Sequence, residues 1–108
     1  MEIDPRTLSE KLAGKNPPLV VDVREARELQ AEGMIEGALH IPMNEIPGRL
    51  AEIPEDREVV MVCHLGMRSL QVAAWLKQSP VGVNAVSMRG GMDAWKAAGL
   101  PVVMTTGR

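Results

Sequence analysis

Short apolar runs alternate with helical patterns along the chain, and no other feature constrains the fold as strongly. Residues 59–62, Val-Val-Met-Val, are apolar without a break, and residues 19–23, Leu-Val-Val-Asp-Val, are nearly so. A strand with one wetted face would alternate apolar and polar side chains. A continuous β-branched run instead marks a strand buried on both faces. The pattern predicts strands at 19–23 and 59–62, a weaker one at 38–41 ended by Pro42, and a further one at 83–88. Helical segments lie between them. Asp4 followed by Pro5 reads as an N-cap and first helical residue, with Leu8 and Leu12 one turn apart and Gly14 as the stop. Residues 25–32 form a brief helix closed by Gly33, and residues 44–53 a second whose start is blurred by Pro47 and Gly48. Residues 69–78 place Ser69, Val72, Ala73 and Leu76 on one helical face. Residues 92–98 make a last helix stopped by Gly99 and Pro101.

Repeated strand-helix-strand order predicts an α/β fold, a mostly parallel central sheet with helices on both faces. At 108 residues the chain supports one core, so a single domain over 1–108 is expected, with its core at about 3–103 and a short C-terminal tail. The core must be built from Val, Leu, Ile, Ala and eight Met, since Phe and Tyr are absent; Trp75 and Trp95 read as packing residues. Right-handed crossovers bring the C-terminal ends of parallel strands to one edge, where ligands collect. Asp22, Cys63 and the stretch Met88-Arg89-Gly90-Gly91 all fall at that edge. Arg24, Arg68 and Arg89 follow strand ends as well, which predicts a basic edge on a chain of net charge -2.

That net charge argues against a nucleic-acid partner, which calls for a strong basic excess. No window approaches the roughly 20 apolar residues of a membrane span. The opening MEIDPRTLSE lacks the basic start and apolar stretch of a secretory signal. One cysteine cannot form an internal disulfide, which fits a reducing compartment; a cytoplasmic location is the expectation.

Cys63 sits where a strand gives way to a helix. Backbone N–H groups at a helix N-terminus lack intrahelical partners and carry partial positive charge, and a loop curling toward them forms an anion-binding nest. Such a site favours the thiolate, the reactive form of cysteine. Gly66 permits a positive φ within so tight a loop. Arg68, a cation in the first helical turn, opposes the macrodipole and so points to an anion nearby. His64 reads as a loop residue that tunes local charge. Asp22 is equally suited to capping the next turn, pairing with an arginine or touching a substrate.

Cys63-His64-Leu65-Gly66-Met67-Arg68-Ser69 resembles the active loop of the rhodanese family: cysteine, two residues, glycine, one residue, arginine. Three further segments agree in order: Val21-Asp22-Val23-Arg24, the stretch 33–42 (GMIEGALHIP), and Gly90-Gly91-Met92-Asp93-Ala94-Trp95 before Gly99-Leu100-Pro101-Val102. The resemblance spans residue 3 to about residue 103. His40 departs from it, standing where family members often carry a small polar residue.

The resemblance implies a sulfurtransferase of the thiosulfate type. Cys63 would attack the outer sulfur of a small anionic donor such as thiosulfate, release sulfite and hold a persulfide, which cyanide or a thiol, a protein thiol included, then discharges. The loop residues His64, Leu65, Gly66, Met67 and Arg68 would bind the substrate and the persulfide charge, with Asp22 and Arg24 as candidate support. No metal or organic cofactor is implied. Related dual-specificity phosphatases have five residues between cysteine and arginine; here there are four. A persulfide adds one sulfur about 2 Å from the first, whereas a phosphoryl group needs a wider ring of amides. A thioredoxin-like exchanger would need C-x-x-C, and Cys63, His64 and His40 lack zinc-ligand spacing. The alternative is a persulfide carrier or rhodanese-like binding module serving one protein partner.

Overall fold

The structure is a computed structural model and describes residues 1–79 and 82–105. Five parallel strands form one sheet in the order β1-β5-β4-β2-β3, where β1 is Glu2–Ile3, β2 Leu19–Asp22, β3 Leu39–His40, β4 Val59–Val62 and β5 Ala85–Met88. The helices are α1 (Pro5–Leu12), α2 (Ala26–Glu32), α3 (Met67–Gln78) and α4 (Gly91–Ala97). Among the described residues no helix is long and apolar enough to cross a membrane.

The unbroken apolar runs are central strands, as their pattern predicts. β4 lies between β2 and β5, and all four of its residues are buried. Alternation divides them between two cores. Val59 and Met61 pack with Val21, Val23 and Ala85 against Val72, Ala73 and Leu76 of α3. Val60 and Val62 face the other side, with Val20, Met88, Leu8 of α1, and Met92 and Trp95 of α4. Cys63 continues the first set, onto the α3 face.

Three local features depart from the sequence reading. Strand β1, two residues long, pairs Glu2 with Ser87 and Ile3 with Met88, and is too short to carry a periodicity of its own. The helix expected at 44–53 is instead two 3-10 turns, Met43–Glu45 and Pro47–Glu52. Pro47 has no N–H to donate and its ring excludes an α-helical carbonyl behind it, so bonds of the tighter type form, such as Ile46 N–H to the Met43 carbonyl. Trp75 is 45% exposed along a groove with Met43, Ile46 and Pro47, whereas Trp95 is buried and donates its indole N–H to the Pro101 carbonyl at 2.8 Å. Beyond α4, Val103 and Met34 exchange two backbone hydrogen bonds, which fastens the segment after the last helix; the end of the expected tail, residues 106–108, lies outside the described residues.

Candidate active site

Cys63 is the first residue beyond β4 and is almost fully buried. Its Sγ accepts the backbone N–H of Gly66 at 3.1 Å and of Ser69 at 3.3 Å. Ser69 Oγ lies 3.2 Å from the sulfur and 2.8 Å from Ser87 Oγ, so a buried chain of hydroxyls runs from β5 to the thiol. The turn is tight because Gly66, at φ 96°, caps α3 from the left-handed region. Helix α3 therefore begins at Met67, two residues earlier than the apolar face alone suggests, and its first turn reaches the sulfur.

The loop is held from behind by α4. The carbonyls of Cys63 and His64 accept the N–H groups of Met92 at 2.8 Å and Asp93 at 3.1 Å. In a trans peptide N–H and C=O point opposite ways. Pinning these two carbonyls onto α4 turns the N–H groups of His64 and Leu65 away from it. The approach is so close that a Cβ at Gly91 would collide with both carbonyls. The pair Gly90-Gly91 thus has a steric origin as well as a conformational one.

The charged residues are arranged differently from the sequence expectation. Arg68 forks onto Glu28 of α2, its two terminal nitrogens 2.9 Å from the two carboxylate oxygens. This fork holds the Glu28 carboxyl down at about 2 and pushes the Arg68 guanidinium up, with Cys63 and Asp22 adding to the upward push. Asp22 and Arg24 are both buried and form their own fork, at 2.9 and 2.8 Å, with a further bond from Arg24 to the Gly33 carbonyl. Of the three roles open to Asp22, the structure shows two: it pairs with Arg24, and it caps the turn by accepting the Arg24 backbone N–H at 3.2 Å. Strand alternation turns Asp22 to the face opposite Cys63, so this pair supports the chain beneath the loop and does not touch the sulfur. Glu32, one turn beyond Glu28, lies 3.5 Å from His64 Nδ1, 3.8 Å from Lys96 Nζ and 4.0 Å from Arg24. Arg89 faces Glu2 at 3.6 Å. The predicted basic edge is therefore an edge of paired charges. Leu65 and Met67 project outward and are exposed. His40 Nε2 is 2.7 Å from the Arg24 carbonyl and makes its contact there, not at the thiol.

Four residues of this arrangement escape a sequence reading. Glu28 and Glu32 sit one turn apart on a charged helix and carry no local mark of their partners 40 and 32 residues away. Ser69 and Ser87 did leave a signal, since each is a hydroxyl within an otherwise apolar, buried pattern. A buried polar group needs a partner, and these two have each other and Cys63.

A parallel sheet carrying one buried cysteine at a central strand end, with amides of the next turn on its sulfur, defines a class of cysteine-loop α/β proteins. Within that class the chain belongs to the rhodanese family: the model for the rhodanese-like domain matches residues 4–98. The chain is 46% identical over 106 residues to a sulfurtransferase of Allochromatium vinosum, covering 98% of this chain and 97% of that one. Its fold is similar to a rhodanese-like domain protein from Staphylococcus aureus, with TM-score 0.83, 35% identity, and 94% and 97% of the two chains covered. A rhodanese-related protein from Thermoplasma volcanium is similar too, with TM-score 0.86, 31% identity, and 96% and 98% covered.

Proposed function

We propose that this chain, acting as one domain over about residues 3–103, transfers sulfane sulfur through a persulfide on Cys63. In the first step the thiolate attacks the outer sulfur of thiosulfate or a similar anionic donor. The new S–S bond forms as the donor's S–S bond breaks, and the electron pair leaves with sulfite. In the second step cyanide or a thiol attacks the terminal sulfur and Cys63 departs as thiolate, its original state. Both steps are exchanges at divalent sulfur and need no added oxidant or reductant.

The observation that carries this reading is the pair of amides, Gly66 and Ser69, donated to Sγ. Donors fixed in place stabilise charge as it develops without reorganising at the moment of reaction. Because the chain has a single cysteine, the persulfide has no resolving thiol within it and must pass to an external acceptor. A reducing compartment such as the cytoplasm, which that single cysteine favours, supplies thiols for the purpose. The same feature favours the second reading, a persulfide carrier or binding module that serves one protein partner.

Intact-mass measurement after incubation with thiosulfate tests the proposal. One added sulfur on the wild type, lost on addition of cyanide and missing from Cys63→Ser, is the expected result. A wild type that gains no sulfur, or a Cys63→Ser variant that gains one, would overturn it.

A further inference from the structure

The cations at the active edge each face a carboxylate: Arg68 on Glu28, Arg24 on Asp22, Lys96 on Glu32, Arg89 on Glu2; the His64 ring lies against Glu32 as well. Beside the half-exposed side chains of His64 and Arg68, each held against a carboxylate, the most exposed part of the loop is apolar. Leu65 and Met67 flank Gly66, whose amide reaches the sulfur, and are 58% and 69% exposed; Leu70, one turn along α3 from Met67, is exposed as well. Large apolar side chains kept in water at the mouth of a reactive loop gain by covering whatever enters it. An inorganic dianion has nothing to bury against them. It also meets an arginine whose charge is already matched, which removes the attraction that would steer it.

Resting on the sulfur-transfer reading, we infer that the site selects donors whose sulfane sulfur sits on an apolar group and carries a single negative charge, over inorganic thiosulfate. Glu28 sets the charge side of that selectivity by holding Arg68, and Leu65 with Met67 set the apolar side. An organic thiosulfonate has the required form. The Cys63 thiolate attacks its terminal sulfur, the S–S bond to the sulfonyl group breaks, and the electron pair leaves with the sulfinate. Cys63 is left as the persulfide anion, so charge and atoms balance as they do with thiosulfate.

The test compares kcat/KM for benzenethiosulfonate and thiosulfate, with cyanide as acceptor, in three proteins: wild type, Glu28→Gln, and Leu65→Asn combined with Met67→Gln. Glu28 also accepts the Glu25 backbone N–H at 2.9 Å, a bond the Gln oxygen retains, so the start of α2 survives the substitution. Releasing one full charge toward a dianion through a water-like dielectric should raise thiosulfate kcat/KM by about tenfold in Glu28→Gln. The singly charged donor should gain less. Thiosulfate capture should be nearly flat with ionic strength in the wild type and become salt-sensitive in Glu28→Gln. A merely structural role for Glu28 would lower both donors together and leave the salt slope alone. The Leu65 and Met67 variant should lose benzenethiosulfonate turnover more than thiosulfate turnover. A donor ratio that is the same in all three proteins, or steep salt dependence of thiosulfate capture in the wild type, would overturn the selectivity alone. If neither donor leaves a sulfur on Cys63, the transfer reading itself falls and the selectivity falls with it.

Discussion

Arg68 donates from both of its terminal nitrogens to the two carboxylate oxygens of Glu28, each at 2.9 Å, and so joins the loop after Cys63 to α2. Bidentate geometry of this kind fixes orientation as well as charge. Glu28 titrates at about 2 in the fold against an ordinary value of 4.5, first because of its bonds from Arg68. A carboxyl whose folded pKa is depressed stabilises the fold above its unfolded pKa, and that contribution disappears as pH falls through the folded one. The stability advantage of wild type over Glu28→Gln should therefore be constant above about pH 5 and shrink between 4.5 and 2. Thermal unfolding of both proteins across that range reads it directly. A difference that does not vary with pH would show that the fork contributes nothing through charge.

The hydroxyl chain from Ser87 through Ser69 to Cys63 has a signature in a double-mutant cycle. Removing one buried partner strands the other, at a cost of about 1–3 kcal/mol, whereas removing both is close to neutral. Ser69→Ala, which takes away the partner of the Ser87 hydroxyl, should destabilise the protein by that amount, and Ser87→Ala by less, because the Ser69 hydroxyl keeps Cys63. Ser69→Ala with Ser87→Ala should cost clearly less than the two single changes added together. Urea unfolding gives all four corners of the cycle, and strict additivity would mean the hydroxyls act independently.

Gly91 and Gly99 both have positive φ, at 62° and 77°, but only one is crowded. A Cβ at Gly99 meets nothing within 4 Å, while one at Gly91 runs into the carbonyls of Cys63 and His64. Gly99→Ala should cost about 1–2 kcal/mol, the usual penalty of a left-handed backbone with a side chain. Gly91→Ala should cost more and also remove sulfur transfer, because the loop must leave α4 to make room. Equal unfolding midpoints for the two variants would contradict the contact between Gly91 and the loop.

The four residues between Cys63 and Arg68 can be tested by adding a fifth. One Gly inserted after Gly66 moves the second amide that meets Sγ, that of Ser69, and lengthens the loop toward the phosphatase spacing. The variant should lose most sulfur transfer and gain measurable affinity for phosphate or arsenate. Efficient phosphatase activity is not expected without a placed general acid. Calorimetric titration with each oxyanion, on a variant first shown to fold by thermal unfolding, provides the check. Full sulfur transfer with no new oxyanion binding would show that loop length does not set the chemistry.

Much of this molecule is legible residue by residue. Val59–Val62 reads as a doubly buried strand because both of its faces are apolar, and it is one. The face Ser69, Val72, Ala73 and Leu76 is the buried face of α3, since helical period alone decides which side chains share a side. Cys63 and Gly66 stand at the strand-to-helix junction for equally local reasons. The rest was decided by packing. Nothing in the sequence around Arg68 points to Glu28, because the two meet only after α2 and α3 have docked on the same sheet. Strand order did the same for Ser87, which reaches Ser69 only because β5 lies beside β4. The expected basic edge failed on this point: a run of residues reveals its charges, but whether a charge is free or matched depends on carboxylates delivered from elsewhere in the chain. Patterns of burial are set by neighbours in sequence, while charge pairing is set by neighbours in space.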